Sequence, residues 1–275
     1  MSTAQPTTTL EPTQFDQIRP ALSRRQLRII LFIIAGIVLL PLLYVFAQRE
    51  VARWYQASMQ DAIYRHDNET ALEKCEAALG WDPSNLELLA AKSHIYLSMA
   101  KAKEAAATAD QSLILARINY EGRPSRYNKQ QLVSALNRSA YSHALAGTKL
   151  EQSLEYADEA LGYLASGMIN SGILDTRGYL HYLLGNDEQA MHDMELAVAV
   201  EETNYRDFQT SKRIESRGLI DKSRVKYEQQ SARESMSVFY QHRGLAYDRI
   251  GESEKADEDL KRAQRMGYDP ANGVW

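Results

Sequence analysis

"LDTRGYLHYLLGNDEQAMHDMELAV", Leu174–Val198, repeats itself as "YQHRGLAYDRIGESEKADEDLKRAQ", Tyr240–Gln264. Without a gap, Arg177-Gly178 falls on Arg243-Gly244, Gly185 on Gly251, Ala190 on Ala256 and Ala197 on Ala263, at a constant offset of 66. Each copy reads as a helix, a short turn carrying glycine, and a second helix. A second pair lies upstream at an offset of 34: "ALEKCEAALGWDP" (Ala71–Pro83) and "AAATADQSLILAR" (Ala105–Arg117). Ala71, Cys75 and Ala78 fall on Ala105, Ala109 and Ser112. Small residues at i, i+4 and i+7 share one helix face and let a neighbouring helix approach closely. Internal repetition of paired helices predicts stacked units, each too small to bury its apolar face alone.

Composition agrees with helix. Alanine and leucine are abundant, and no Val/Ile/Thr alternation argues for a strand. The 275 residues carry a formal net charge of −4. Arg19, Arg24, Arg25 and Arg28 outweigh Glu11 and Asp16 before residue 29, so the body from residue 48 onward is acidic. That balance excludes a nucleic-acid-binding role, which needs a dense basic face.

These motifs resemble the tetratricopeptide repeat family, whose 34-residue unit reads W-x2-L-G-x2-Y, then A-x3-F, then a late Pro. Gly178 and Gly244 match the first-helix glycine and Tyr96 and Tyr247 the tyrosine, whereas His181 departs from it. Ala71, Ala105, Ala190 and Ala256 match the second-helix alanine, with Cys75, Ala109, Met194 and Leu260 at the aromatic position. The resemblance implies an all-α fold, a right-handed α-solenoid of helix-turn-helix repeats over residues 48–275. Hairpins are expected at about 50–82, 85–117, 129–165, 170–200 and 236–267. Arg117–Gln131 reads as a polar loop, and the charged segment 201–235 as an irregular helical insertion of extended helices or a decayed repeat.

The resemblance also implies a concave groove lined by first helices and holding a partner protein or peptide. By position His94, Asp175, Tyr179, Tyr182, Gln241 and Asp248 face that groove. Self-assembly into a homo-oligomer is the rival role for such stacking units.

Residues 29–47 form an uncharged run of nineteen residues. At 1.5 Å per residue it measures about 28 Å, the thickness of a bilayer's hydrocarbon core. It reads as one transmembrane helix that contacts the lipid bilayer, with Arg24, Arg25 and Arg28 before it and Arg49, Arg53 and Trp54 at its far flank. The arginine-rich side places residues 1–28, a disordered tail, in the cytoplasm and the repeats outside it, in the periplasm of a bacterium. Val45-Phe46-Ala47 also has the small-residue spacing of a signal-peptidase site, and cleavage near Ala47 would release a soluble repeat domain.

No catalytic constellation emerges, so the reading is of a non-enzyme without cofactor or metal. Cys75 sits in an inward stripe and reads as a small buried hydrophobe. The six histidines form no H-E-x-x-H. Ser98-Met99-Ala100-Lys101 matches S-x-x-K without its companion motifs, and Gly147-Thr148-Lys149 lacks the order of a phosphate loop. Trp275 is expected to pack on the last helices.

Overall fold

The computed structural model describes residues 23–215 and 222–270, so the tail before Ser23 and the Trp275 position lie outside the described residues. Ten helices are described: α1 (Arg24–Tyr64), α2 (Asn68–Trp81), α3 (Leu86–Ser98), α4 (Ala102–Gly122), α5 (Arg126–Ala146), α6 (Leu150–Gly162), α7 (Ser171–Leu184), α8 (Asp187–Glu215), α9 (Lys222–Arg249) and α10 (Ser253–Met266). Two compact units divide the chain, Met1–Gln48 and Arg49–Trp275.

In the first unit, α1 begins at Arg24, so Arg24, Arg25 and Arg28 stand on its opening turns instead of in a tail. Its apolar side chains are exposed, Phe32 by 78% and Ile37 by 67%, and Pro41 lies within the helix. This helix is long and apolar enough to cross a membrane, a property that anchors and signal sequences share.

The second unit is an α-solenoid of five hairpins. Met59 and Ala62 near the end of α1 pack in one cluster with Ala71, Cys75 and Ala78 of α2, and α3/α4, α5/α6, α7/α8 and α9/α10 follow, each helix from α2 onward packing on the next. The small-residue stripes hold these contacts. Ala71, Cys75 and Ala78 are fully buried, as are Ala105 and Ala109, and Ala190, Met194 and Ala197. Ser153, Ala157 and Ala160 occupy the same i, i+4, i+7 stripe in α6, also fully buried. A serine therefore leads the third hairpin where the others have alanine.

Helix ends are written in the sequence. Asp67, Asn85, Ser125 and Asn170 each accept a backbone N–H at the start of α2, α3, α5 and α7. Gly185 ends α7 in the left-handed region at φ 79°, and the Asn186 N–H closes the turn on the His181 carbonyl at 2.9 Å.

Arg117–Gln131 is not a loop. Residues 117–122 complete α4 and 126–131 open α5, leaving three residues, among them Pro124, between them. The extra length of this repeat is taken up as added turns on two 21-residue helices. Likewise α8 and α9 extend to 29 and 28 residues.

Two glycines bring the paired helices into contact. A Cβ on Gly178 would lie 2.8 Å from Met194 Cγ and 3.3 Å from the Ala190 carbonyl oxygen. One on Gly244 would lie 3.0 Å from Leu260 Cγ. Beside each glycine an arginine reaches across the hairpin to a buried aspartate. Arg177 Nε and Nη2 hold Asp193 at 2.6 and 2.8 Å, and Arg243 holds Asp259 at 2.6 and 3.0 Å. Both aspartates are almost fully buried, and both pairs are sixteen residues apart.

Candidate partner-binding groove

The first helices of successive hairpins, α3, α5, α7 and α9, present side chains to one concave surface. A cavity of about 800 Å³ opens there, lined by His94 of α3, Asn137 and Tyr141 of α5, Asp175 of α7 and Glu234 and Ser235 of α9, among others. A smaller recess of about 390 Å³ adjoins it, and the two share His94, Asn137 and Tyr141.

The floor is rigid. Asp175 Oδ2 accepts from His242 Nδ1 at 2.8 Å, both side chains being nearly fully buried, which ties α7 to α9. The His242 ring stacks on Tyr179 at 4.0 Å and meets Tyr141 edge-on at 6.1 Å. Asp175 Oδ1 is buried without a hydrogen-bond partner among the described residues. Burial pushes the Tyr179 phenol up to about 12 and the Tyr141 phenol well above its ordinary value, so neither ionises at neutral pH. His94 is solvent-exposed yet surrounded by the concavity. That desolvation, with the nearby Arg138 charge, holds its imidazole below the usual histidine range, and Glu234 works in the opposite direction.

Of the residues expected at a groove, His94 and Asp175 come together in the larger cavity. Tyr179 and Tyr182 are half-buried on α7 and stack with each other at 6.1 Å. Tyr182 also carries Arg249 over its ring at 3.5 Å. Gln241 is half-buried and Asp248 exposed on α9; neither lines the two cavities. At the expected membrane flank, Arg53 pairs with Glu50 at 2.7 Å, and Trp54 is 61% exposed with its ring edge-on to Tyr55. Arg49 lies within α1.

The motif candidates for chemistry are structural. Cys75 is buried, donates to the Leu88 carbonyl at 3.3 Å, and its thiol is pushed up to about 11 by burial, which keeps it protonated. Ser98 ends α3 and Lys101 precedes α4, with Ala100 between them at φ 55°. Among the described residues, no three His, Cys, Asp or Glu side chains converge as metal ligands.

The tetratricopeptide repeat family profile matches residues 238–266, which span the end of α9 and all of α10. That hairpin has the buried Ala256, the close-approach Gly244 and the Tyr247 of the repeat pattern. This last hairpin is a tetratricopeptide repeat. No curated protein matches it at the level of sequence. Solved structures with a partial likeness include MamA from Desulfovibrio magneticus RS-1, 13% identical over 78% of this chain and 94% of that one, at a TM-score of 0.42. BtubC from P. vanneervenii is 16% identical over 86% and 87%, at a TM-score of 0.48. YrrB, described as a TPR protein with an unusual peptide-binding site, is 17% identical over 74% and 97%, at a TM-score of 0.36.

Three residues of this surface escape a sequence reading. Asn137, Arg138 and Tyr141 stand on α5, whose tetratricopeptide pattern is degenerate, so no repeat motif marks them. Ser153 alone could have set the register of that hairpin, by its spacing from Ala157 and Ala160.

Proposed function

We propose that the protein is a membrane-tethered scaffold whose tetratricopeptide groove captures a partner protein through an extended segment or a helix. The observation that carries this reading is the 800 Å³ cavity on the concave surface, lined by four successive first helices and floored by the Asp175–His242 pair. A preformed polar and apolar concavity on rigid helices holds a ligand at low ordering cost. His94 and Asp175 line it, with Tyr179, Tyr182, Gln241 and Asp248 completing the proposed surface toward the last hairpins. Residues 29–47 supply the tether, with the N-terminus cytoplasmic and the repeats on the other side of the membrane.

Plugging the groove tests the reading. Ser231 and Ser235 are exposed on successive turns of α9 and line the cavity. Ser231→Trp with Ser235→Trp is expected to reduce capture of the partner by full-length protein in membranes at least tenfold while leaving the unfolding midpoint within a few degrees. Unchanged capture by a folded variant would reject the groove as the binding surface.

A further inference from the structure

Two acceptors in the wall of the larger cavity have nothing to accept from. Asp175 takes the His242 Nδ1 proton donor at Oδ2, at 2.8 Å, but its Oδ1 is buried with no hydrogen-bond partner among the described residues. The Asp175 side chain is only 5% exposed. Asn137 Oδ1, on α5, is buried and unpartnered in the same way. Buried polar atoms are rarely left unpaired, and each costs stability while it stays so. Two orphan acceptors in one cavity wall therefore describe an absent group that brings donors.

The charge of the wall says which donors. Among the described residues it holds three carboxylates, Asp175, Glu234 and Asp269, and no Lys or Arg. Glu234, half-buried on α9, accepts from Gln230 Nε2 at 2.8 Å and makes no ion pair with a described residue. Burial holds the His94 imidazole below the usual histidine range, so it is neutral at pH 7 and does not supply the missing positive charge. Arg138, next to Asn137 in α5, lines the adjoining recess and not this cavity. Its charge biases a cation toward the carboxylates of α7 and α9.

We propose that the cavity binds an aliphatic ammonium group at Asp175. An ammonium carries three donors on a compact tip, enough for Asp175 Oδ1, Asn137 Oδ1 and Glu234. A guanidinium fork pairs best with a carboxylate that offers both oxygens, and Asp175 has only one to offer. Ile95, Met99, Val238 and Phe239 in the same wall give the methylene stem an apolar seat. A lysine side chain of the bound segment and a free alkylamine share this chemistry. The proposal rests on the groove reading given above and names the group the cavity selects.

Fluorescence anisotropy on the full-length chain in nonionic detergent tests it with two families of probe. Alanine hexapeptide amides, dye-labelled at the N-terminus, carry lysine, norleucine or arginine at the fourth position. Singly labelled 1,5-diaminopentane keeps one free ammonium, and labelled pentylamine keeps none. A preference of tenfold or more for lysine over norleucine, with arginine between them and no preference in the amine pair, places the ammonium on a side chain of the bound segment. The same preference in the amine pair places it on a free amine. In either case Asp175→Asn, which replaces one carboxylate oxygen by an NH2 donor, is expected to remove the preference while the unfolding midpoint falls only slightly. Glu234→Gln, which breaks no contact of the floor, is expected to weaken the preference at least threefold with the midpoint unmoved. If Asp175→Asn does not fold, Glu234→Gln alone decides. Equal binding within both pairs, absence of binding by every probe, arginine above lysine, or a preference that survives the deciding variant overturns the proposal. Loss of the partner by the tryptophan-plugged groove, together with equal binding within both pairs, leaves the groove standing and removes the ammonium site.

Discussion

Arg243→Met is expected to destabilise the full-length protein by about 3–5 kcal/mol, the cost of leaving a buried charge without its partner. Asp259 is only 4% exposed through its side chain and receives two hydrogen bonds from the Arg243 guanidinium. Methionine fills much of the arginine stem's volume, so the loss is electrostatic and not a cavity. Adding Asp259→Leu removes the stranded charge and is expected to recover most of the stability. Urea unfolding monitored by circular dichroism measures both. The exposed Lys255–Glu252 pair at 3.3 Å supplies the contrast, since Lys255→Ala should change stability by less than about 1 kcal/mol. A loss below that level for Arg243→Met would show that the cross-hairpin pair does not hold α9 to α10.

The second large effect is expected at the groove floor. His242→Leu leaves Asp175 nearly fully buried with both carboxylate oxygens unpartnered among the described residues, because Oδ1 already has no partner. Leaving a buried ionisable group unsatisfied costs about 3 kcal/mol. The ring stack on Tyr179 is lost as well. Asp175→Asn with His242 retained keeps a side chain of the same shape and an acceptor for the ring nitrogen, so it is expected to lose about 1 kcal/mol. If His242→Leu unfolds at the wild-type urea concentration, the floor is not pre-formed by this pair.

The alanine stripes were legible in the sequence because a solenoid repeats its packing at fixed spacing, and a buried Ala or Cys at i, i+4 and i+7 leaves a pattern one residue at a time. The third hairpin was harder. Its stripe opens with Ser153, which reads as polar although the fold buries it fully. Residues 117–131 read as loop because a solvated helix face and a loop have the same polar composition, and Pro124 between them is a breaker in either case. The Arg177–Asp193 and Arg243–Asp259 pairs were invisible to spacing rules within one helix, since sixteen residues span a turn and join two helices.

At the cavity, the positions of His94 and Asp175 on first helices were legible from the repeat register. Arg138 was not, because its hairpin lacks the repeat motifs that mark first-helix positions. Aromatic residues on the same helices were ambiguous for a related reason. Tyr179 and Tyr182 are as suited to packing on His242 and under Arg249 as to meeting a partner, and sequence position cannot separate those uses.

Site-specific photo-crosslinking in intact membranes reads out directly whether a partner occupies the groove. A benzoylphenylalanine at His94, Ser235 or Gln230 faces the cavity, and one at Asp257 or Lys261 sits on the exposed side of α10, where those two side chains pair at 2.9 Å. A discrete adduct of one mass is expected from the three groove positions and none from the two α10 positions. Adducts from α10 without any from the groove would contradict that occupancy.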